Sequence, residues 1–304
     1  MKDLKNYLTI DSSFFSKEIE PSSALNQVLD KGMGPYTISQ KDFSVPEVLW
    51  EKERYQLEKS TVFMSLDPQI QQKVLKRITQ LNLSLMYFIE KSGHNYGAKM
   101  ILLADSIQEK SLYCMFAAEE AIHLREFSNF INFTVDPKLH WHPMLNPLAK
   151  VIHEGEKNTC LYIIQVLLEG FGMGHYNSLK NDCHYSPLVD VFNRILKDEA
   201  RHHGAGLILV KESQLKKNER EEIFEYTREF VIALQSANWI LNIIEENSSP
   251  LSQAQRAKHY EQVQYHALMD KRLRALKEML LKADRENLLA DLEQEGVFKP
   301  LSAA

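Results

Sequence analysis

Three features of this 304-residue chain predict an all-α fold. Apolar residues recur at helical spacing over stretches far longer than a strand, capping residues stand in front of those stretches, and no alternating apolar–polar run of useful length occurs. The composition agrees, since 44% hydrophobic and 25% charged residues with 11 Gly and 10 Pro describe a globular chain able to bury a sizeable core. A formal net charge of -5 supplies no overall basic field for nucleic acid or an anionic membrane, so neither is expected as a partner. Cys114, Cys160 and Cys183 form no CxxC pair, which speaks against a disulfide frame and for a reducing, cytoplasmic setting. The N-terminus lacks a signal-peptide core, and apolar windows such as Leu161 to Leu168 are much shorter than the ~20 residues of a membrane span.

Residues 1–66 carry Pro21, Gly32, Gly34, Pro35 and Pro46 among polar residues, the spacing of an arm of loops and short helices packed on the rest. Behind Asp67-Pro68, an apolar stripe through Ile70, Val74, Ile78, Leu81, Leu85 and Phe88 predicts a first long helix over about 68–102. Ser106 and Glu109, at capping-box spacing, open a second helix that runs to about 132. Pro137, Pro143 and Pro147 mark a connection over 134–148 long enough to cross the end of a bundle. A third helix is expected over 149–179 and, after the Asn181-Asp182 turn and Pro187, a fourth over 188–213. Two more, near 218–246 and 251–283, flank Ser248-Ser249-Pro250, so residues 67–213 form the bundle and 214–304 add helices to the same domain.

Glu120-Ala-Ile-His123 and Glu199-Ala-Arg-His202 each put a carboxylate and an imidazole one turn apart on one helix face. With 28 Glu and 11 His in the chain, chance alone gives about one such pair. The weight comes from two more glutamates, because Glu90 precedes Glu120, and Glu169 precedes Glu199, by the same interval. The midpoints of these pairs fall at Asp105 and His184, in the predicted turns, so antiparallel hairpins bring Glu90 level with Glu120 and Glu169 level with Glu199. Their flanks, including Leu83, Met86, Ile89, Phe116, Val166 and Leu167, are core-like. Several ionised carboxylates in one apolar interior cost several kcal/mol each unless cations offset them. Four Glu and two neutral His match two divalent metal ions at net zero charge.

The set Glu90, Glu120-x-x-His123, Glu169 and Asp198-Glu199-Ala-Arg-His202 resembles the ligand signature of the ferritin-like di-iron carboxylate superfamily, over about residues 68–213. Trp50, the Glu-Ala-Arg-His string and the C-terminal helices are similar to di-iron oxygenases of the p-aminobenzoate N-oxygenase type. Those enzymes carry an additional His one turn before the last Glu-x-x-His, where this chain has Ile195. The resemblance implies a ferritin-like four-helix bundle with a long crossover, in which Glu120 and Glu199 bridge two metals, Glu90 and Glu169 bind one each, and His123 and His202 complete one nitrogen ligand per metal. It also implies that Asp198 supports His123 and that Glu119 supports His202. His94, four residues after Glu90, is a candidate extra ligand, whereas His203 should face away.

Mixed carboxylate and imidazole ligands suit two Fe ions, with Fe/Mn or Mn/Mn as competitors. The implied activity is oxidation of a small organic substrate by O2 with electrons from an external donor, the six ligands acting through the metals; a homodimer is compatible. Tyr87, Phe88, Phe116, Phe127, Tyr162 and Phe171 are candidates for the substrate cavity wall. Gly170, Gly172 and Gly174 would make room beside the metals, admit a bulge, or allow close helix packing. Three other readings remain open: a rubrerythrin-like peroxidase or ferroxidase, for which the chain lacks CxxC pairs; a tRNA-modifying hydroxylase, for which Lys211, Lys216 and Lys217 make a poor basic patch; and a metal-free helical interaction protein.

Overall fold

Asp67 accepts a hydrogen bond from Gln69 N–H at 2.8 Å and Pro68 occupies the first turn, so the first long helix starts where its cap dictates. The structure is a computed structural model that describes residues 22–37, 44–136, 142–235, 239–284 and 287–299. Pro21, Pro137 and the centre of the 134–148 connection lie outside the described residues. The described residues are helical with no strand.

The N-terminal part holds α1 (Ala24–Met33) and the short α2 (Thr61–Met64). Between them, Trp50 is fully buried and its indole donates to Leu179 O at 2.8 Å, fastening this stretch to the third bundle segment. Helix α3 (Pro68–Leu103) turns sharply into α4 (Ile107–Ser128), where Ser106 accepts from Glu109 N–H while Glu109 reaches back to Asp105 N–H. The two helices pack along their length as a hairpin. A Cβ on Gly97 would lie 2.8 Å from Ala117 Cβ, so this close approach needs a glycine.

The helix expected over 149–179 is instead broken. Helix α5 (Leu145–Glu154) ends at extended Gly155, and α6 (Lys157–Cys160) runs into a π-helical turn (Leu161–Leu168) and then α7 (Glu169–Asn181). A Cβ at Gly155 would meet Val151 O at 2.7 Å, and Lys99 Nζ donates to the Ile152 and Gly155 carbonyls that the break leaves open. Helix α8 (Ser186–Glu212) follows and packs on α7, the π turn and α4. Helices α9 (Lys217–Gln235) and α10 (Trp239–Asn247) are separated by residues outside the description. The helix expected over 251–283 is two, α11 (Gln253–Gln262) and α12 (Tyr265–Ala283), because Gln264 adopts φ 53° while Val263 turns into an apolar cluster with Leu57 and Ile244. The chain closes with α13 (Leu288–Gln294).

Leu161, Val166, Phe230, Leu273 and Leu276 share one apolar cluster, so the C-terminal helices are packed into the core formed by the π segment. Ile195 is fully buried beside Phe127 and Phe192 in a second cluster, an apolar place that holds no ligand.

Candidate metal centre

Four chain segments, α3, α4, α7 and α8, each aim one glutamate into the same interior. Ligand atoms of Glu90, Glu120, His123 and Glu199 lie within 4.8 Å of one another, and so do those of Glu120, Glu169, Glu199 and His202. Glu120 and Glu199 belong to both groups. Gly93 admits this geometry, since a Cβ there would stand 2.3 Å from Glu120 Oε2. His94, one residue further, is exposed and does not turn to the site.

The two imidazoles are oriented by acids on the opposite helix. His123 Nε2 is 3.2 Å from Asp198 Oδ2 and its Nδ1 is 3.2 Å from Glu90 Oε2 and 3.5 Å from Glu199 Oε1. His202 Nε2 is 2.8 Å from Glu119 Oε2. Arg201 ties the supporting acids together, donating to Asp198 at 2.9 Å and to Glu119 at 2.5 Å. Partial burial would raise both acids, but their imidazole partners and Arg201 outweigh it and hold them below the ordinary carboxylate range.

The inner carboxylates behave differently. Burial pushes Glu90 up to about 7 against the hydrogen bond from His123. Burial and the neighbouring carboxylates push Glu169 and Glu199 well above their usual range. For Glu120 burial is outweighed by His202 and His123, which hold it down. Burial alone would depress His202, yet Glu119 and Glu120 raise it to about 11. His123 is raised well above its usual value by Asp198 and Glu90 against the same penalty. His202 therefore keeps its proton near pH 7 and sets one positive charge against this acidic interior.

The donor set fits divalent metal. Glu169 Oε2 and His202 Nδ1 are buried without a hydrogen-bond partner, although His202 Nδ1 is only 3.2 Å from Glu120 Oε1. A buried carboxylate oxygen left open like Glu169 Oε2 is what a bound cation satisfies, and a metal would take the place of the His202 Nδ1 proton.

Around the cluster, Tyr176 Oη donates to Glu90 Oε1. Tyr176 lies seven residues after Glu169, on the same helix face, so the helical period could have revealed it. The π turn places Gln165, whose side chain accepts from Tyr96 at 2.8 Å and Tyr113 at 3.2 Å and donates to His202 O at 2.6 Å. The Gln165 carbonyl lies 3.2 Å from His203 Nδ1, so His203 serves the backbone. A Cβ on Gly170 would lie 2.2 Å from Met279 Sδ, whereas Gly172 has open space beside a cavity.

That cavity, of about 150 Å³, reaches Glu90, Glu120, Glu169 and Glu199 and is walled by Leu85, Ile89, Leu148 and Ile164 among others. Of the six aromatic residues expected in its wall, only Phe171 is there. Tyr87, Phe88, Phe116, Phe127 and Tyr162 are packed core, with the Phe116 ring centroid 4.0 Å from that of His202. Aromatic spacing along a helix marks an inward face without saying whether that face meets another side chain or a void.

Fold and site together define an all-helical protein with a buried Glu/His cluster that can hold metal and is compatible with a di-iron site. Comparison with protein-family models, with curated proteins and with solved structures yields no match. Among the described residues no helix is long and apolar enough to cross a membrane.

Proposed function

We propose that this chain is an oxygenase or oxidase built on a ferritin-like four-helix bundle, holding two iron ions and using O2 to oxidise a small organic substrate. The observation that carries the reading is the sharing of Glu120 and Glu199 between two ligand groups, each completed by one Glu and one His. Glu90 and His123 would hold one ion, Glu169 and His202 the other, with Glu120 and Glu199 common to both. Bound iron would supply the redox chemistry with O2.

The chain's own residues do the rest. Asp198 and Glu119 fix which imidazole nitrogen faces inward, and Arg201 holds those acids in place. Tyr176 holds a proton against Glu90 Oε1 and restrains that carboxylate. Leu85, Ile89, Leu148, Ile164 and Phe171 exclude water and seat the apolar part of a substrate at the carboxylates. A cavity opening onto the cluster favours oxidation of a bound organic molecule over iron storage. An external donor supplies electrons. The test is O2 uptake after anaerobic loading with ferrous ion: uptake should be rapid, scale with bound iron, and vanish in Glu199→Ala. Ferrous-loaded protein that consumes no O2 faster than free ferrous ion would overturn the reading.

A further inference from the structure

The cavity wall also takes in His142, His175 and Arg272, none of which belongs to the Glu/His cluster. Arg272 makes no ion pair or hydrogen bond among the described residues, and the charges acting on it are Arg54 and Tyr265, not the cluster carboxylates. Arg272 is an exposed residue that also lines the cavity, and the protein around its guanidinium lowers its pKa, as fits a group standing in a cavity mouth. His142 Nδ1 accepts from Met144 N–H at 3.2 Å, which leaves its Nε2–H as a free donor. His175 Nε2 is buried and has no hydrogen-bond partner. Burial and the charge of Arg272 push His142 down to about 4 and His175 down to about 3, so both are neutral near pH 7 and Arg272 is the one fixed charge of the three.

The buried His175 Nε2 has no partner, and together with the His142 Nε2–H and the unpaired Arg272 guanidinium it gives a cavity otherwise lined by apolar side chains and the cluster glutamates one place that an anion completes. One positive charge with two neutral donors matches a monoanion with two acceptor oxygens better than a phosphate dianion. We infer that His142, His175 and Arg272 form a recess for the carboxylate of an amphipathic organic acid, whose apolar body lies along Leu85, Leu148 and Ile164 and reaches the Glu/His cluster. This rests on the oxidase reading for the fate of the molecule, although the recess binds whether or not metal is present. A cavity of about 150 Å³ accommodates a body of about six to eight carbons.

Trp239 lines the same cavity and reports on its filling, so binding can be followed by tryptophan fluorescence on the full chain and checked by calorimetry. The probes are benzoate and octanoate, each against its neutral amide, with the protein as purified and after metal is stripped. Wild type should bind at least one carboxylate about tenfold or more tightly than its amide, in both metal states. Arg272→Gln should erase that preference and leave amide binding within about twofold, while Arg272→Lys retains part of it. Circular dichroism verifies that each variant is folded, and His175→Phe gives the same readout should Arg272→Gln fail to fold. The inference is overturned if wild type binds neither carboxylate, shows no preference over the amide, or keeps its preference in Arg272→Gln. Carboxylate binding that disappears when metal is stripped would place the anion on the metals and overturn it too. A carboxylate preference in a protein that consumes no O2 would leave the recess standing and remove the oxidase.

Discussion

Gly93→Ala puts one methyl group where the side chain shared by the two ligand groups passes. The added Cβ would lie 2.3 Å from Glu120 Oε2 and 2.5 Å from Glu120 Cδ, whereas ordinary contact begins near 3.4 Å. The carboxylate must therefore retreat by about 1 Å. Metal–ligand distances tolerate only about 0.2 Å, and Glu120 belongs to both groups, so one methyl disturbs both positions. Affinity for ferrous ion should fall at least about tenfold, in the range seen when a ligand loses its support. The fold itself should hardly notice. The atoms that must move are the free end of a side chain, and alanine is favoured over glycine in a helix interior by about 1 kcal/mol, so metal-free stability should stay within about 1 kcal/mol of wild type. The assay pairs urea unfolding of chelator-treated protein with ferrous titration and metal content after gel filtration. Gly174→Ala is the control, because a Cβ there meets nothing within 4 Å and metal binding should be unchanged. Gly93→Ala protein that binds metal as tightly as wild type would refute the placement of Glu120.

Glu120→Ala should lose both ions, whereas Glu169→Ala, which touches one group, should keep one; elemental analysis of the two variants distinguishes shared from single ligands. Asp198→Asn exchanges a charged acceptor on His123 Nε2 for a neutral amide and also weakens Arg201, so iron affinity or the rate of reaction with O2 should drop ~10 to 100-fold with helicity unchanged. Wild-type kinetics in that variant would remove Asp198 from the site. Metal binding should also release protons at pH 7, because His202, raised to about 11, holds a proton that a bound metal must displace, and Glu90, raised to about 7, holds one part of the time. Affinity should accordingly rise with pH between about 6 and 8, and calorimetry in two buffers of different ionisation enthalpy measures the release; none at all would contradict the proton held on His202.

Caps and periodicity made most of the helices legible, as at Asp67-Pro68 and Ser106. The matched interval between Glu90 and Glu120 and between Glu169 and Glu199 was legible for the same reason: a hairpin converts sequence symmetry about a turn into equal height. The break at Gly155 was hidden because apolar residues continue in phase on both sides, and a lone glycine does not say whether the chain leaves the helix there, as it does with ψ 140°. The π turn was hidden because Leu161–Leu168 is buried almost all round and has no polar face to reveal a change of phase. Gly93 and Arg201 each act across to another helix, so only the packed structure shows what they touch. Arg272 reaches the cavity from α12, a helix outside the segments that carry the cluster.

As proposed, Glu90, Glu120, His123, Glu169, Glu199 and His202 hold a pair of metal ions. Elemental analysis of protein purified without added metal, repeated after anaerobic ferrous loading and removal of excess, tests it most directly. Two ions per chain are expected, iron in preference to manganese, lost together in Glu120→Ala. Wild-type protein that retains no metal after loading would contradict it.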